Sequence, residues 1–127
     1  MNESLVPVAL VFAKSGAVSF VGKQTGTPVP PDGSGFRVKD GSRMSIQAFW
    51  TGTLTGTISI EASLNSTDGV NGNWTSLTVT LHGAQPAGSA GSLMVDPITV
   101  AAPWLRVRWT FVSGAGNITV YLCGKGS

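Results

Sequence analysis

Residues 104–112 read WLRVRWTFV, and apolar and polar side chains alternate along this stretch with a period of two. The apolar members fall on one face of an extended chain: Leu105, Val107, Trp109 and Phe111. The opposite face carries Trp104, Arg106, Arg108 and Thr110. Because successive side chains of a strand point to opposite faces of a sheet, the pattern predicts a β-strand with one face in a core.

The same alternation recurs along the chain, whereas no stretch has the period of an amphipathic helix. It is clearest at residues 57–64, 74–82 and 117–123, and Gly-rich or polar turns separate these segments. Less regular strands are predicted at residues 5–12, 17–22, 36–39, 43–50 and 93–100. The sequence therefore predicts an all-β protein, an antiparallel β-sandwich or jelly roll of about eight strands, in a single domain over residues 1–127.

Proline and glycine mark the irregular parts of this pattern. Pro7 lacks the amide that a sheet ladder needs, so residues 1–12 are predicted to form an N-terminal arm or an edge strand. For the same reason, Pro97 predicts an edge position or a bulge in its strand. Residues 23–35 hold too many Pro and Gly residues for a regular element and are predicted to be a long loop.

Composition excludes several classes of function. Charged residues make up only 11% of the chain, the net charge is +2, and no basic run occurs, which argues against nucleic-acid binding. No segment has the roughly 18–20 apolar residues of a membrane span. Glu3 and Pro7 disfavour reading the N-terminal apolar run as a signal peptide. The weakly charged surface fits either a chain that faces other proteins or a neutral soluble domain.

Residues for catalysis or metal binding are few and scattered. His82 and Cys123 are the only histidine and cysteine, and they are predicted to be an exposed polar cap and a buried thiol. Residues 65–73 contain Asp68 and several asparagines, but one carboxylate favours a polar turn over a calcium loop. Glu61 is predicted to lie on the outward face of its strand. The sequence therefore predicts no enzyme, no cofactor and no metal site.

The tryptophans leave more than one interpretation open. Trp109 is predicted to lie in the core, and Trp74 could fold back as a lid after the polar loop. Trp104, Arg106 and Arg108 share an outward face. This face is either an exposed stripe that binds a sugar or a partner protein, or two arginines whose stems pack over the tryptophan within one chain.

Two stretches resemble a known family. Residues 56–77 combine an alternating strand, a Ser/Asp/Gly turn and Trp74 shortly before an apolar position. Residues 103–125 combine WLRVRW, a Ser-Gly-Ala-Gly turn, an alternating strand and a Gly-Lys end. Both are similar to stretches of the small β-sandwich or jelly-roll virion proteins of tailed bacteriophages, of the capsid decoration (cement) type.

The resemblance implies a non-enzymatic structural role. A decoration protein of this type binds the major capsid protein lattice and copies of itself, as a dimer or trimer, and contacts neither nucleic acid nor membrane. It belongs to the virion and is assembled in the cytoplasm of the host bacterium. The alternative is a tail, collar or fibre module that binds a partner protein or a host glycan, with Trp104 or Trp74 as a stacking platform.

The resemblance also implies a role for the N-terminal strand, which could pair with the edge of a partner's sheet by β-augmentation. The candidate partner-binding residues are Leu5, Val6, Pro7, Val8, Trp104, Arg106 and Arg108.

Overall fold

The computed structural model describes residues 5–21, 36–37, 42–67, 71–100 and 102–125. These residues form ten strands and no helix: β1 (Leu5–Ser15), β2 (Phe20–Val21), β3 (Phe36–Arg37), β4 (Ser42–Trp50), β5 (Thr55–Ser63), β6 (Thr75–Ser76), β7 (His82–Gly83), β8 (Gly91–Val100), β9 (Trp104–Ser113) and β10 (Asn117–Lys125). The predicted all-β class is confirmed, and the predicted loop at residues 23–35 lies outside the described residues.

The strands form two antiparallel sheets, as a β-sandwich requires. The first sheet has the order β1-β10-β4-β8-β7, and the second has the order β2-β9-β5-β6, with β3 also paired to β9. The strand β9 therefore has β5 on one side and the two short strands β2 and β3 on the other.

The core lies between the two sheets and is built by the alternation that the sequence displays. From the second sheet, Leu105, Val107 and Trp109 of β9 are fully buried, and Phe111 packs against the same cluster. The first sheet contributes the corresponding apolar residues of β4, β8 and β10. Each fully buried side chain of this size contributes about 1.5–3 kcal/mol through the hydrophobic effect. The indole of Trp109 also donates a hydrogen bond to the carbonyl of Gly16 at 3.3 Å.

Shifts of the pairing register allow the strands to contain prolines, and they explain a break in the alternation of buried residues. The pairing of β8 with β4 gains one residue between Val95 and Ile98, so Pro97 lies in a bulge, as predicted. A similar shift occurs in β1 beside Pro7, between Val6 and Ala9. A further shift between Leu10 and Phe12 explains why the neighbouring residues Val11 and Phe12 are both buried.

The prediction of one strand over residues 74–82 is wrong. This segment starts in β6, which pairs with β5 of the second sheet, and ends in β7, which pairs with β8 of the first sheet. In between, Leu77 and Val79 pack on the core and Leu81 is exposed. This segment passes from one sheet to the other, and its side chains point alternately towards and away from the core. It therefore shows the alternation of a strand in its sequence although it pairs with a neighbour only at its two ends.

Gln85 takes the place of a paired strand beside β5. Its side-chain oxygen accepts a hydrogen bond from the amide of Ile58 at 2.7 Å, and its side-chain nitrogen donates to the carbonyl of Ile58 at 2.9 Å. One amide side chain thus satisfies both backbone groups of a buried residue.

Replacing Gln85 with alanine should destabilise the fold, because Q85A leaves the amide and carbonyl of Ile58 without these partners. We expect a loss of about 1–3 kcal/mol in the free energy of unfolding, measured by urea denaturation. Q47A, which removes the same side chain from an exposed position of β4, is the control. Equal stability of Q85A and Q47A would contradict this account of Gln85.

Three turns meet at one end of the sandwich through backbone hydrogen bonds. The amide of Thr53 donates to the carbonyl of Ala115 at 2.8 Å, and the amide of Gly16 donates to the carbonyl of Gly116 at 3.0 Å. Gly114 has a positive φ of 92°, and a Cβ atom there would lie 2.0 Å from the carbonyl oxygen of Thr53. The close approach of these turns therefore requires glycine at position 114.

We expect G114A to lower the free energy of unfolding by more than G88A. Gly88 also has a positive φ, but a Cβ atom there would meet nothing closer than 3.9 Å. G88A should therefore cost only the backbone strain, about 1–2 kcal/mol, whereas G114A adds a clash with backbone. Thermal and urea unfolding of both variants measure the difference, and equal losses would show that the turn contact is unimportant.

Candidate functional site

The outer face of the second sheet holds an ion-pair cluster around the buried side chain of Glu61. Glu61 of β5 lies opposite Arg106 of β9 in the register of the two strands. Its Oε1 atom accepts a hydrogen bond from Nε of Arg106 at 2.6 Å, and its Oε2 atom accepts one from Nε of Arg108 at 3.1 Å. One carboxylate therefore joins two guanidinium groups of the neighbouring strand.

Trp74 completes this cluster from the edge of the sheet. It directly precedes β6, whose pairing with β5 brings the indole beside the arginines. The guanidinium carbon of Arg106 lies 4.3 Å from the centroid of the Trp74 ring, which is the distance of a cation–π contact. Trp74, which the sequence suggested as a lid, thus lies against Arg106. Glu61, Trp74, Arg106 and Arg108 are called the arginine cluster below.

The exposures predicted for this face need correction. Glu61 lies on the outward face of its strand, as predicted, but only 8% of it is exposed. Trp104 and Arg106 do not form an exposed stripe either, since each is 9% exposed. Arg108 is more accessible than Glu61 and Arg106, with 39% of its side chain exposed against 11% for each of theirs. The arginines therefore pack within the chain, as the second interpretation of the sequence proposed. That interpretation placed their stems over Trp104, whereas Arg106 packs on the ring of Trp74.

The physical reason for the correction is the position of β9 inside its sheet. Trp104 has Ser63 of β5 on one side and Arg37 of β3 on the other, so neighbouring strands flank it. Sequence alternation assigns a side chain to the outer face, but it carries no information about what covers that face. Trp74 covers the side chain of Arg106 in this way.

We expect E61Q to destabilise the protein strongly. It removes the negative charge between two arginines, one of them buried, and breaking a buried pair from one side costs about 3–5 kcal/mol. S59A changes the next outward position of β5, opposite Arg108, and is the control. Urea denaturation of both variants measures the loss. If E61Q unfolds at the same urea concentration as S59A, the ion pairs do not stabilise the sheet.

The outer face of the first sheet carries an apolar groove that sequence reasoning missed. The groove has a volume of about 290 Å³ and is lined by Ser45, Gln47, Phe49, Met94, Tyr121, Leu122 and Cys123. The ring centroids of Phe49 and Tyr121 are 5.6 Å apart, and 38% of Phe49 is exposed. Cys123, predicted to be buried, is partly exposed at this groove. These residues define the aromatic groove.

The signal for the aromatic groove was present in the sequence at outward positions of two strands. Phe49 and Tyr121 alternate with buried residues of β4 and β10, and this alternation places both on the outward face of the first sheet. Their proximity depends on the register that places Tyr121 opposite Gln47. Since β4 and β10 are distant in the sequence, that register could not be inferred from local pattern alone.

The N-terminal candidate residues lie in an edge strand. Leu5 pairs with Lys125 and Val6 pairs with Gly124, and β1 stands at the end of the first sheet. Within the described ranges, β1 is hydrogen-bonded to β10 alone. Pro7 and Val8 fall in the bulge of the same strand. The structure describes only the backbone of these four residues.

Candidate metal ligands do not gather in the described part of the chain. No set of three or more His, Cys, Asp or Glu side chains is placed there to hold a metal ion. His82 is exposed on the short strand β7, as its predicted role as a polar cap requires. Among the same residues, no helix is long and apolar enough to cross a membrane.

Comparisons with known proteins leave the family open. No family model matches the chain, and neither the curated proteins nor the solved structures contain a significant match.

Proposed function

We propose that this chain is a non-enzymatic structural protein of a bacteriophage virion, a capsid decoration (cement) protein that binds and stabilises the major capsid protein lattice. The observation that carries the proposal is the aromatic groove on the outer face of the first sheet. The outward face of a solvated antiparallel sheet is normally polar, so aromatic and apolar side chains there favour a protein contact.

The composition of the aromatic groove is that of a protein interface. Phe49, Met94 and Tyr121 supply the aromatic and methionine side chains that are enriched in interface cores. Ser45 and Gln47 supply polar groups beside them, and the hydroxyl of Ser45 donates a hydrogen bond to Asp96. An apolar centre with polar neighbours is the arrangement that a partner surface would cover.

The edge strand lies next to this groove in the same sheet. β10, which carries Tyr121, pairs with β4 on one side and with β1 on the other. A partner seated on the groove is therefore one strand away from the outer edge of β1, with which no described strand pairs. Addition of a partner strand to that edge would be β-augmentation, which combines backbone hydrogen bonds with side-chain contacts. The adjacency supports one continuous contact with the capsid shell.

The strands that carry the resemblance to phage virion proteins are the centre of the sandwich. Residues 56–77 include most of β5, and residues 103–125 include the β9–β10 hairpin. The resemblance thus concerns strands of both sheets. It supplies the phage assignment, while the aromatic groove supplies the protein contact.

The alternative of a glycan-binding tail or fibre module receives less support from the geometry. A sugar ring stacks on an exposed aromatic face, but Trp104 is buried. Trp74 is half-buried, and the guanidinium of Arg106 lies over its ring. Neither tryptophan offers the open platform on which that alternative depended.

The test is cosedimentation of the purified chain with empty capsids assembled from the major capsid protein of the same phage. We expect saturable binding by the native chain, and a loss of affinity of about tenfold or more in F49S, because anchors in apolar pockets dominate interface energies. L64S is the control, since Leu64 is an exposed apolar residue of another surface.

Thermal unfolding of F49S and L64S excludes loss of the fold as the cause of weaker binding. A native chain that stays in the supernatant with capsids but sediments with purified tails would overturn the decoration role. Equal binding by F49S and L64S would remove the aromatic groove from the interface.

A further inference from the structure

We propose that the arginine cluster binds a carboxylate side chain of the capsid shell. This inference deepens the proposed function by naming a second contact surface, and it rests on that function only for the identity of the partner. The proposal starts from the hydrogen bonds of the two arginines. Within the described ranges, Arg106 and Arg108 each bond to Glu61 through Nε. The terminal nitrogens of both guanidinium groups remain for another acceptor.

Trp74 carries a further hydrogen-bond donor in the ring that lies beside Arg106. Its Nε1 atom is buried and makes no hydrogen bond in the described part of the chain, and its ring lies 4.3 Å from the guanidinium carbon of Arg106. Buried indole nitrogens usually have a partner, because an unsatisfied donor is costly. Among the described residues, the unpaired polar groups of this cluster are the terminal guanidinium nitrogens and the indole nitrogen, and all of them are hydrogen-bond donors. A complementary ligand must therefore supply acceptor atoms.

The charges of the cluster define the ligand further. Within the cluster itself, two guanidinium groups face one carboxylate, which leaves these described residues with an excess of one positive charge. Arg108, with 39% of its side chain exposed, makes the site accessible from solvent. A second carboxylate would neutralise the excess, and its two oxygens match the planar fork of a guanidinium group.

A protein carboxylate fits this site better than the phosphates of a nucleic acid. Binding to a polyanion gains affinity from many cationic contacts along the backbone, whereas the arginine cluster offers one excess charge. The chain has a net charge of only +2 and no basic run. A single Asp or Glu side chain on a protein surface is therefore the partner that the cluster accommodates.

The first experiment measures capsid binding by variants at two arginines on opposite sheets. R108Q removes the accessible guanidinium, and R43Q removes the same charge from an exposed position of β4 that does not line the aromatic groove. We expect R108Q to lower the affinity for empty capsids about tenfold or more, because it leaves the partner carboxylate unpaired. R108K keeps the charge without the fork and should lie in between.

R43Q should change the affinity by no more than about twofold, as exposed single charges do. Thermal unfolding of each variant identifies any loss of fold. If R108K binds like the native chain while R108Q and R43Q weaken binding equally, net charge alone explains the effect and the carboxylate site is overturned.

The second experiment needs no capsid, so it separates a failure of this inference from a failure of the proposed function. Poly-L-aspartate is added to the labelled protein, and the indole N–H resonance of Trp74 is followed by NMR. We expect a saturable shift in the native chain and in R43Q, and its loss in R108Q. Absence of the shift in the native chain overturns the carboxylate site, even if capsids bind.

The same titration with double-stranded DNA distinguishes the source of the anion. A larger shift with DNA than with poly-L-aspartate would overturn the assignment to a protein partner in favour of phosphate. A shift with poly-L-aspartate but no binding of the native chain to capsids would leave the site in place and remove the decoration role.

Discussion

The pairing of β9 with β5 is the interaction on which the second sheet depends, because one register determines both faces of β9. Inward, it brings Val107 beside Ile60 in the core. Outward, it brings Arg106 opposite Glu61. A slip of one residue would exchange the faces and turn Arg106 and Arg108 towards the core, where unpaired charges are strongly unfavourable. Hydrophobic burial and ion pairing therefore select the same register.

Much of the fold could be predicted from sequence, because period-two alternation reports which side chains are buried. It located the inward faces of β5, β9 and β10. The missing amide of Pro97 predicted an edge position or a bulge, and the structure has the bulge. It failed at residues 74–82, where Leu77 and Val79 are partly buried but the chain passes between sheets. The backbone of Ile58 is hydrogen-bonded by the side chain of Gln85 where a neighbouring strand would otherwise pair, and such a side-chain contact leaves no periodic pattern in the sequence.

Less of the candidate site could be predicted, since its parts meet through contacts between distant segments. The sequence singled out Trp104, Arg106 and Arg108 correctly as residues of one face, but it could not show that Glu61 and Trp74 enclose Arg106. The aromatic groove was missed for a related reason. Its residues come from three strands that the register of the first sheet places side by side.

The two outer faces of the sandwich differ in chemistry, and this difference bears on how the chain would join its neighbours. The aromatic groove offers apolar area, which contributes affinity without strong orientation. The arginine cluster offers directional hydrogen bonds and one excess charge, which favour a defined docking geometry. Since the faces belong to opposite sheets, one partner surface cannot cover both if the sheets pack at the usual distance of about 10 Å. A chain that used both faces would therefore contact two neighbouring surfaces, and joining neighbours is the task that the proposed role as a decoration protein requires.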